Sequence, residues 1–317
     1  DPSRCLDAFT IALNEACEGK RWFASTKQLQ LASVEFCAAC RTVATLCLCA
    51  EVCTPKHLWT DNTGPATRNA QKLRSSRVPC LRFHKVVWYL PTSALAWARL
   101  RFSGLEQLFL VGGMHSLVDK VVWPCGLQQL TFWEAFNYPI ACVSWPNSLK
   151  TMEFGEHFDQ PIHGVTWPSS LKHLEFSNDF NQPINGVTWP ASLQHLEFGE
   201  CFNQPINGVT WPASLQELEF GHNFNQPIDG VTWPASLQQL RFWRYFNQPI
   251  DGVTWPTSLQ QLHFGNDFNQ PIAGVTWPTS LLHLDFFGHF NQPIESVAWP
   301  TSLEQLHFDD DFNQPIA

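Results

Sequence analysis

The sequence predicts a repeat solenoid, in which each coil lays one short strand on a parallel β-sheet and returns through irregular turns. Three observations predict it. The string Phe-Asn-Gln-Pro-Ile recurs with Phe at 180, 202, 224, 246, 268, 290 and 312, at a constant step with no insertion or deletion. Nine Trp-Pro pairs, from Trp123 to Trp299, mark the coils. Between them, Leu-x-x-Leu-x-Phe alternates apolar and variable positions, as a half-buried strand does.

One unit reads Leu171-x-x-Leu174-x-Phe176-x-x-x-Phe180-Asn181-Gln182-Pro183-Ile184-x-Gly186-Val187-Thr188-Trp189-Pro190-x-Ser192-Leu193. Gly and Pro follow the strand, so no long helix fits inside one unit. The strand face is expected to be concave and the turns convex. A single coil cannot bury its apolar set alone; stacking buries it, and stability becomes a sum over neighbouring coils. Variants at Phe136-Asn137-Tyr138-Pro139-Ile140 and Phe158-Asp159-Gln160-Pro161-Ile162 carry the pattern upstream. Leu105, Leu108, Leu110, Met114 and Val118 still fit the apolar columns, and Phe83, Val86 and Trp88 suggest a worn coil. The expected divisions are residues 1–80, a Cys-rich, weakly basic and partly helical region; 81–104, a degenerate coil or cap; and 105–317, the array.

The step from Phe180 to Phe202 lies within the range of leucine-rich repeats. Leu-x-x-Leu-x-Phe with Phe-Asn-x-Pro-Ile resembles the FNIP repeat, a leucine-rich-repeat relative, over about residues 105–317. The resemblance implies a solenoid with a protein-interaction role, and it brings no catalytic residue or cofactor.

The net charge of −9 hides an asymmetry. Residues 1–100 hold 13 Lys and Arg against 7 Asp and Glu, a net of +6; the remainder holds 6 against 21, a net of −15. An acidic array disfavours nucleic acid, which needs a basic footprint. Arg68, Lys72, Arg74, Arg77, Arg82 and Lys85 form a basic segment, expected to lie against the first coils as a cap. Eight of the eleven Cys fall between Cys5 and Cys80. Cys37-Ala-Ala-Cys40 with Cys47, Cys49 and Cys53 suits zinc, disulfides or simple burial. No segment has the length and apolarity of a membrane span, so a soluble, cytoplasmic protein is expected. The sequence stops in mid-coil at Ala317 without a polar cap, which suggests a longer protein or end-to-end self-association through the last coil.

Copies of one unit separate scaffold from surface. Columns fixed in every copy are core: the Leu and Phe columns, a Trp stack, and an Asn ladder through Asn181, Asn203 and Asn225 that Asp159 is expected to break. Variable columns flank the buried strand positions and point away from the core. One carries His173 and His195. The next carries Glu153, Glu175, Glu197 and Glu219, a row of like charges about 4.8 Å apart. The following coil interrupts the row with Arg241, Trp243, Arg244 and Tyr245, residue types enriched at binding hot spots. Trp243 fills a column otherwise mostly small. These ten residues are the candidate partner-binding site, and a basic, partly extended protein segment is the expected ligand.

Other chemistry is weakly supported. His173, His195, Glu175 and Glu197 could hold zinc by residue type, but polar columns generate such patches by chance. His115, Ser116 and Asp119 are close only in sequence, which does not make a triad. No Gly-rich phosphate loop, nucleophile elbow or zinc-protease motif occurs, so no enzyme, cofactor or metal is expected. The rival readings are a spacer array without a ligand, and a target-recognition array serving an N-terminal metal or thiol module.

Overall fold

The computed structural model describes residues 45–49, 85–89, 105–111, 118–132 and 136–315. The expected helical character of the N-terminal region, Cys37, Cys40 and Cys53, the basic residues Arg68 to Arg82, and His115 and Ser116 lie outside these residues. Within residues 1–80 the described element is a strand, β1 (Thr45–Cys49).

Two compact units divide between Thr131 and Phe132. In the first, β1, β2 (Lys85–Tyr89) and β3 (Gln107–Val111) pair in parallel, with Thr45 opposite Lys85 and Lys85 opposite Gln107. Leu105, Leu108, Leu110 and Leu127 are buried. The backbone N–H groups of Gln128 and Gln129 both donate to the Glu106 carbonyl, at 2.8 and 2.9 Å. Strand β4 (Gln129–Phe132) spans the division.

The second unit is a parallel β-solenoid. Its strands are β5 (Thr151–Phe154), β6 (His173–Phe176), β7 (His195–Glu197), β8 (Glu217–Phe220), β9 (Gln239–Phe242), β10 (Gln261–Phe264), β11 (His283–Phe286) and β12 (Gln305–Phe308). Each pairs with the next in parallel, offset by one whole repeat, so identical columns meet. Leu174 and Phe176 are buried while His173 and Glu175 face away, as the alternation requires.

The rest of a coil is turns. In the coil of β6, Phe180 N–H donates to the Ser177 carbonyl, Val187 to Ile184 and Leu193 to Pro190, at 3.1–3.3 Å. These i to i+3 bonds reverse the chain three times without a helix. Gly186 has φ of 75°, the left-handed value that the third position of a type II turn demands.

Four kinds of column bind coil to coil. Phe180 stacks on Phe176 at 4.2 Å and on Phe202 of the next coil at 6.1 Å. Trp167 stacks on Trp189 at 6.4 Å. The Asn ladder forms as the sequence suggests: Asn181 Oδ1 accepts from Asn203 N–H at 2.9 Å and from Gln204 Nε2 at 3.0 Å. Asp159, expected to break the ladder, continues it, accepting from Asn181 N–H at 2.9 Å and Gln182 Nε2 at 2.8 Å. The ladder uses the acceptor oxygen, which Asp and Asn share. A serine ladder runs beside it, Ser192 Oγ donating to the Leu171 carbonyl at 2.6 Å.

A graded result follows for Asn203, whose Oδ1 accepts from Asn225 N–H at 3.0 Å and Gln226 Nε2 at 2.9 Å. Asn203→Asp should be nearly neutral at pH 7. Asn203→Leu should cost about 1–3 kcal/mol, because two donors lose their acceptor. Paired urea melts would check this; equal costs for the two variants would mean the ladder is held by something other than this oxygen.

Candidate functional site

The ten candidate residues lie on or just beyond five adjacent strands. Glu153, Glu175, Glu197 and Glu219 meet across β5 to β8 in one register row, followed by Arg241 on β9. His173 pairs with His195 and His195 with Glu217 in the parallel row. The predicted neighbourhood is therefore assembled, but its members are engaged unequally.

Glu219 is taken up within the chain. Its Oε2 accepts from Arg241 at 3.1 Å and its Oε1 from the Trp243 indole N–H at 2.6 Å. Only 16% of the Glu219 side chain remains exposed. The Trp243 ring is fixed by that bond, lies 5.4 Å from the His222 ring, and carries the Arg241 guanidinium 5.9 Å from its centroid. It is still 40% exposed. Trp243 is thus a preorganised aromatic surface rather than a loose one.

His195 bridges two carboxylates. Its Nδ1 lies 2.8 Å from Glu217 Oε2 and its Nε2 3.7 Å from Glu197 Oε2. Glu197, with Glu217, raises the His195 pKa against the lowering effect of burial. His173, an exposed residue beside His195 at 5.8 Å between ring centroids, is shifted down by partial desolvation and by its neighbour. Burial, and then the charges of Glu197 and Glu153, push the Glu175 carboxyl above the usual range. Both the His195 and Glu175 shifts favour the protonated, folded form. Their contribution to stability is present at low pH and lost as pH rises through the raised folded values. Ionising Glu175 therefore costs stability near neutrality.

Beyond the acidic row the register continues through Arg241, His263, Asp285 and His307. His263 Nδ1 contacts Asp285 Oδ2 at 2.5 Å on the next strand, and burial holds the His263 pKa down. Arg244 stands differently from Arg241: it makes no ion pair among the described residues, and its guanidinium lies 5.1 Å from the Tyr245 ring centroid. Two hollows flank this coil. One of about 620 Å³ runs along the Asn ladder past Asn203, Asn225 and Tyr245; one of about 300 Å³ is lined by His222, Trp243, Arg244, Asn266, Asp267 and His289. The ladder-side hollow joins the predicted site residue Tyr245 to Asn203 and Asn225, which belong to a column that the sequence marks as scaffold.

Among the described residues no group of three or more His, Cys, Asp or Glu is placed to hold a metal ion. Cys125, Cys142 and Cys201 are free thiols. No helix among the described residues is long and apolar enough to cross a membrane.

Comparison with known proteins follows the same lines. The FNIP Repeat family model matches residues 158–201, 202–244, 246–288 and 290–317, the first three matches each spanning two coils. The solved structure of CroV588, a novel circular LRR protein, is similar over 73% of this chain at 31% identity, with a TM-score of 0.49. The matched part is 44% of that protein, so the chain spans less than half its length. An internalin, InlF, from Listeria monocytogenes is similar over 68% of this chain and 78% of its own at 12% identity, with a TM-score of 0.38. No curated protein sequence matches. With its unit recurring unbroken through the matched segments, the chain is a member of the FNIP-repeat proteins, a family like the leucine-rich repeats.

Proposed function

We propose that the array is a protein-interaction scaffold and that its sheet face binds a basic segment of a partner across β5 to β9. One observation carries this reading: Glu175 is half-buried between Glu153 and Glu197, ionised at a cost, with no Lys or Arg paired to it among the described residues. A basic partner would relieve that cost and gain association rate through steering. Trp243 and Tyr245 supply exposed aromatic area beside the strip.

The test is charge reversal. Glu175→Lys with Glu197→Lys should weaken capture of a lysine-rich peptide by the full chain at least about tenfold, the scale of a close charge pair. The circular dichroism spectrum and melting temperature should hardly move, since both side chains face away from the core. Trp243→Gly should cost roughly 2 kcal/mol of binding if the ring is an anchor. Unfolding without a specific loss of binding would return these columns to the scaffold and favour a spacer array.

A further inference from the structure

Arg244 is out of keeping with its surroundings. The described array holds two arginines, and Arg241 is spent on Glu219. Among the described residues Arg244 has no ion-pair partner, although acids are plentiful nearby. Its guanidinium lies 5.1 Å from the Tyr245 ring centroid, and Arg244 is one of the residues lining the hollow of about 300 Å³ with Trp243, His222 and His289. The two histidines already face acids of their own. His289 Nδ1 lies 2.5 Å from Asp311 Oδ2, and His222 Nδ1 lies 3.8 Å from Glu200 Oε1. The hollow thus offers one uncommitted planar cation beside a rigid indole. A guanidinium presents paired N–H donors that match a carboxylate. Asp267 in the wall, with Glu200 and Asp311 behind the histidines, limits how much negative charge the hollow can accept.

We infer that this hollow is a carboxylate subsite: Arg244 receives an acidic group of the same polypeptide segment whose basic residues lie on Glu153, Glu175 and Glu197. The inference rests on the reading of the sheet face as a binder of basic segments, and it adds a second, opposite charge to the ligand. From β7 to β9 is two strand steps, about 10 Å, and Arg244 lies beyond the end of β9, so its separation from Glu197 is greater than that. An extended chain covers the distance in roughly four residues. The ligand is therefore a short segment with a basic run, a neutral spacer of about three residues, and a carboxylate. The surroundings favour the single charge of a carboxylate over the near-double charge of a phosphate. The carboxylate comes from an Asp or Glu side chain or from a chain terminus.

The experiment uses the full chain and dye-labelled peptides, read by fluorescence anisotropy at low ionic strength. The parent peptide is Lys-Gly-Lys-Gly-Lys-Gly-Ser-Gly-Glu amide, made in both chain directions. Counterparts replace the Glu with Gln, with phosphoserine, or with a free terminal carboxylate. Changing Glu to Gln should weaken binding to the natural chain about tenfold, the scale of a partly exposed charge-assisted hydrogen bond. With Arg244→Gln that difference should vanish, the Glu and Gln peptides being compared with each other on the same variant. The terminal-carboxylate peptide matching the Glu peptide, or failing to, assigns the source of the carboxylate. Equal binding of the Glu and Gln peptides, or a difference that survives Arg244→Gln, overturns the subsite. Tighter binding of phosphoserine overturns the choice of carboxylate. If the subsite fails but the Gln peptide is still lost on Glu175→Lys with Glu197→Lys, the acidic-strip reading stands alone. If no peptide binds the natural chain, both fall.

Discussion

Phe224→Ala should lower the stability of the array by about 3–5 kcal/mol, the usual cost of emptying a core aromatic site. Phe224 is fully buried. Its ring contacts Phe220 at 4.2 Å in its own coil, Phe202 at 6.1 Å in the coil before, and Phe242 and Phe246 at 6.0 and 6.1 Å in the coil after. One truncation therefore damages two inter-coil interfaces at once, and stability in a stacked array resides in such interfaces. Packed neighbours on both sides leave little freedom to close the cavity. A urea melt of the variant beside the natural chain would measure the loss. A cost below about 1 kcal/mol would mean that coils slide together to fill a vacated site.

Gly221→Ala should be nearly as damaging, for a different reason. A Cβ at residue 221 would overlap the Gly199 carbonyl and stand 2.8 Å from Glu200 N, backbone atoms of the preceding coil. Gly199 and Gly265 are in the same position against Ser177 and Trp243. Strand pairing shows what these glycines do. Where the later coil has Gly after its strand, the register ends at Glu175 opposite Glu197, Glu197 opposite Glu219 and Arg241 opposite His263. Where it has Ser177, Trp243, Phe287 or Asp309, pairing runs one residue further into the Phe column. A side chain in this column keeps the chain extended, and Gly lets it fold against its neighbour. Gly221→Ala must push two coils apart, at an expected cost of about 2 kcal/mol or more. Trp243→Gly moves in the permitted direction and should cost the fold little. Melting both variants checks the asymmetry, and a stable Gly221→Ala would show that the coil relaxes into the extended form freely.

Much of this was legible in the sequence because the chain is its own alignment. The constant repeat length set the register, and alternation placed Leu174 and Phe176 inward and His173 and Glu175 outward. The Phe, Trp and Asn columns followed. Other features depend on side-chain reach between coils, which column reading does not measure. Glu219 was readable as one of four like charges, but its capture depends on how far Arg241 and Trp243 reach back from the following coil. Asp159 looked like a break because the residue changes, whereas the ladder tests only for an acceptor. Ser192 was visible as a repeated letter whose partner, the Leu171 carbonyl, becomes evident only once the coils are stacked. The difference between Arg241 and Arg244, one bound and one not, is likewise geometric.

The near-identity of the coils also sets a problem of address. If the chain misfolded by one whole unit, placing β10 beside β8 and looping out the coil between, the Phe stacks, the Asn ladder and the Ser ladder would all re-form with equivalent partners. Such a mistake is almost invisible to the core, and near-degenerate packings of this kind are what slow and mislead folding. Only contacts that differ from coil to coil can report it. Arg241 and Trp243 clasp Glu219, His195 meets Glu217, and His263 meets Asp285, each across one interface. In the slipped arrangement Glu219 would face His263 and forfeit its clasp. These surface pairs, small in energy one by one, act as the labels that tell each coil which neighbour is its own.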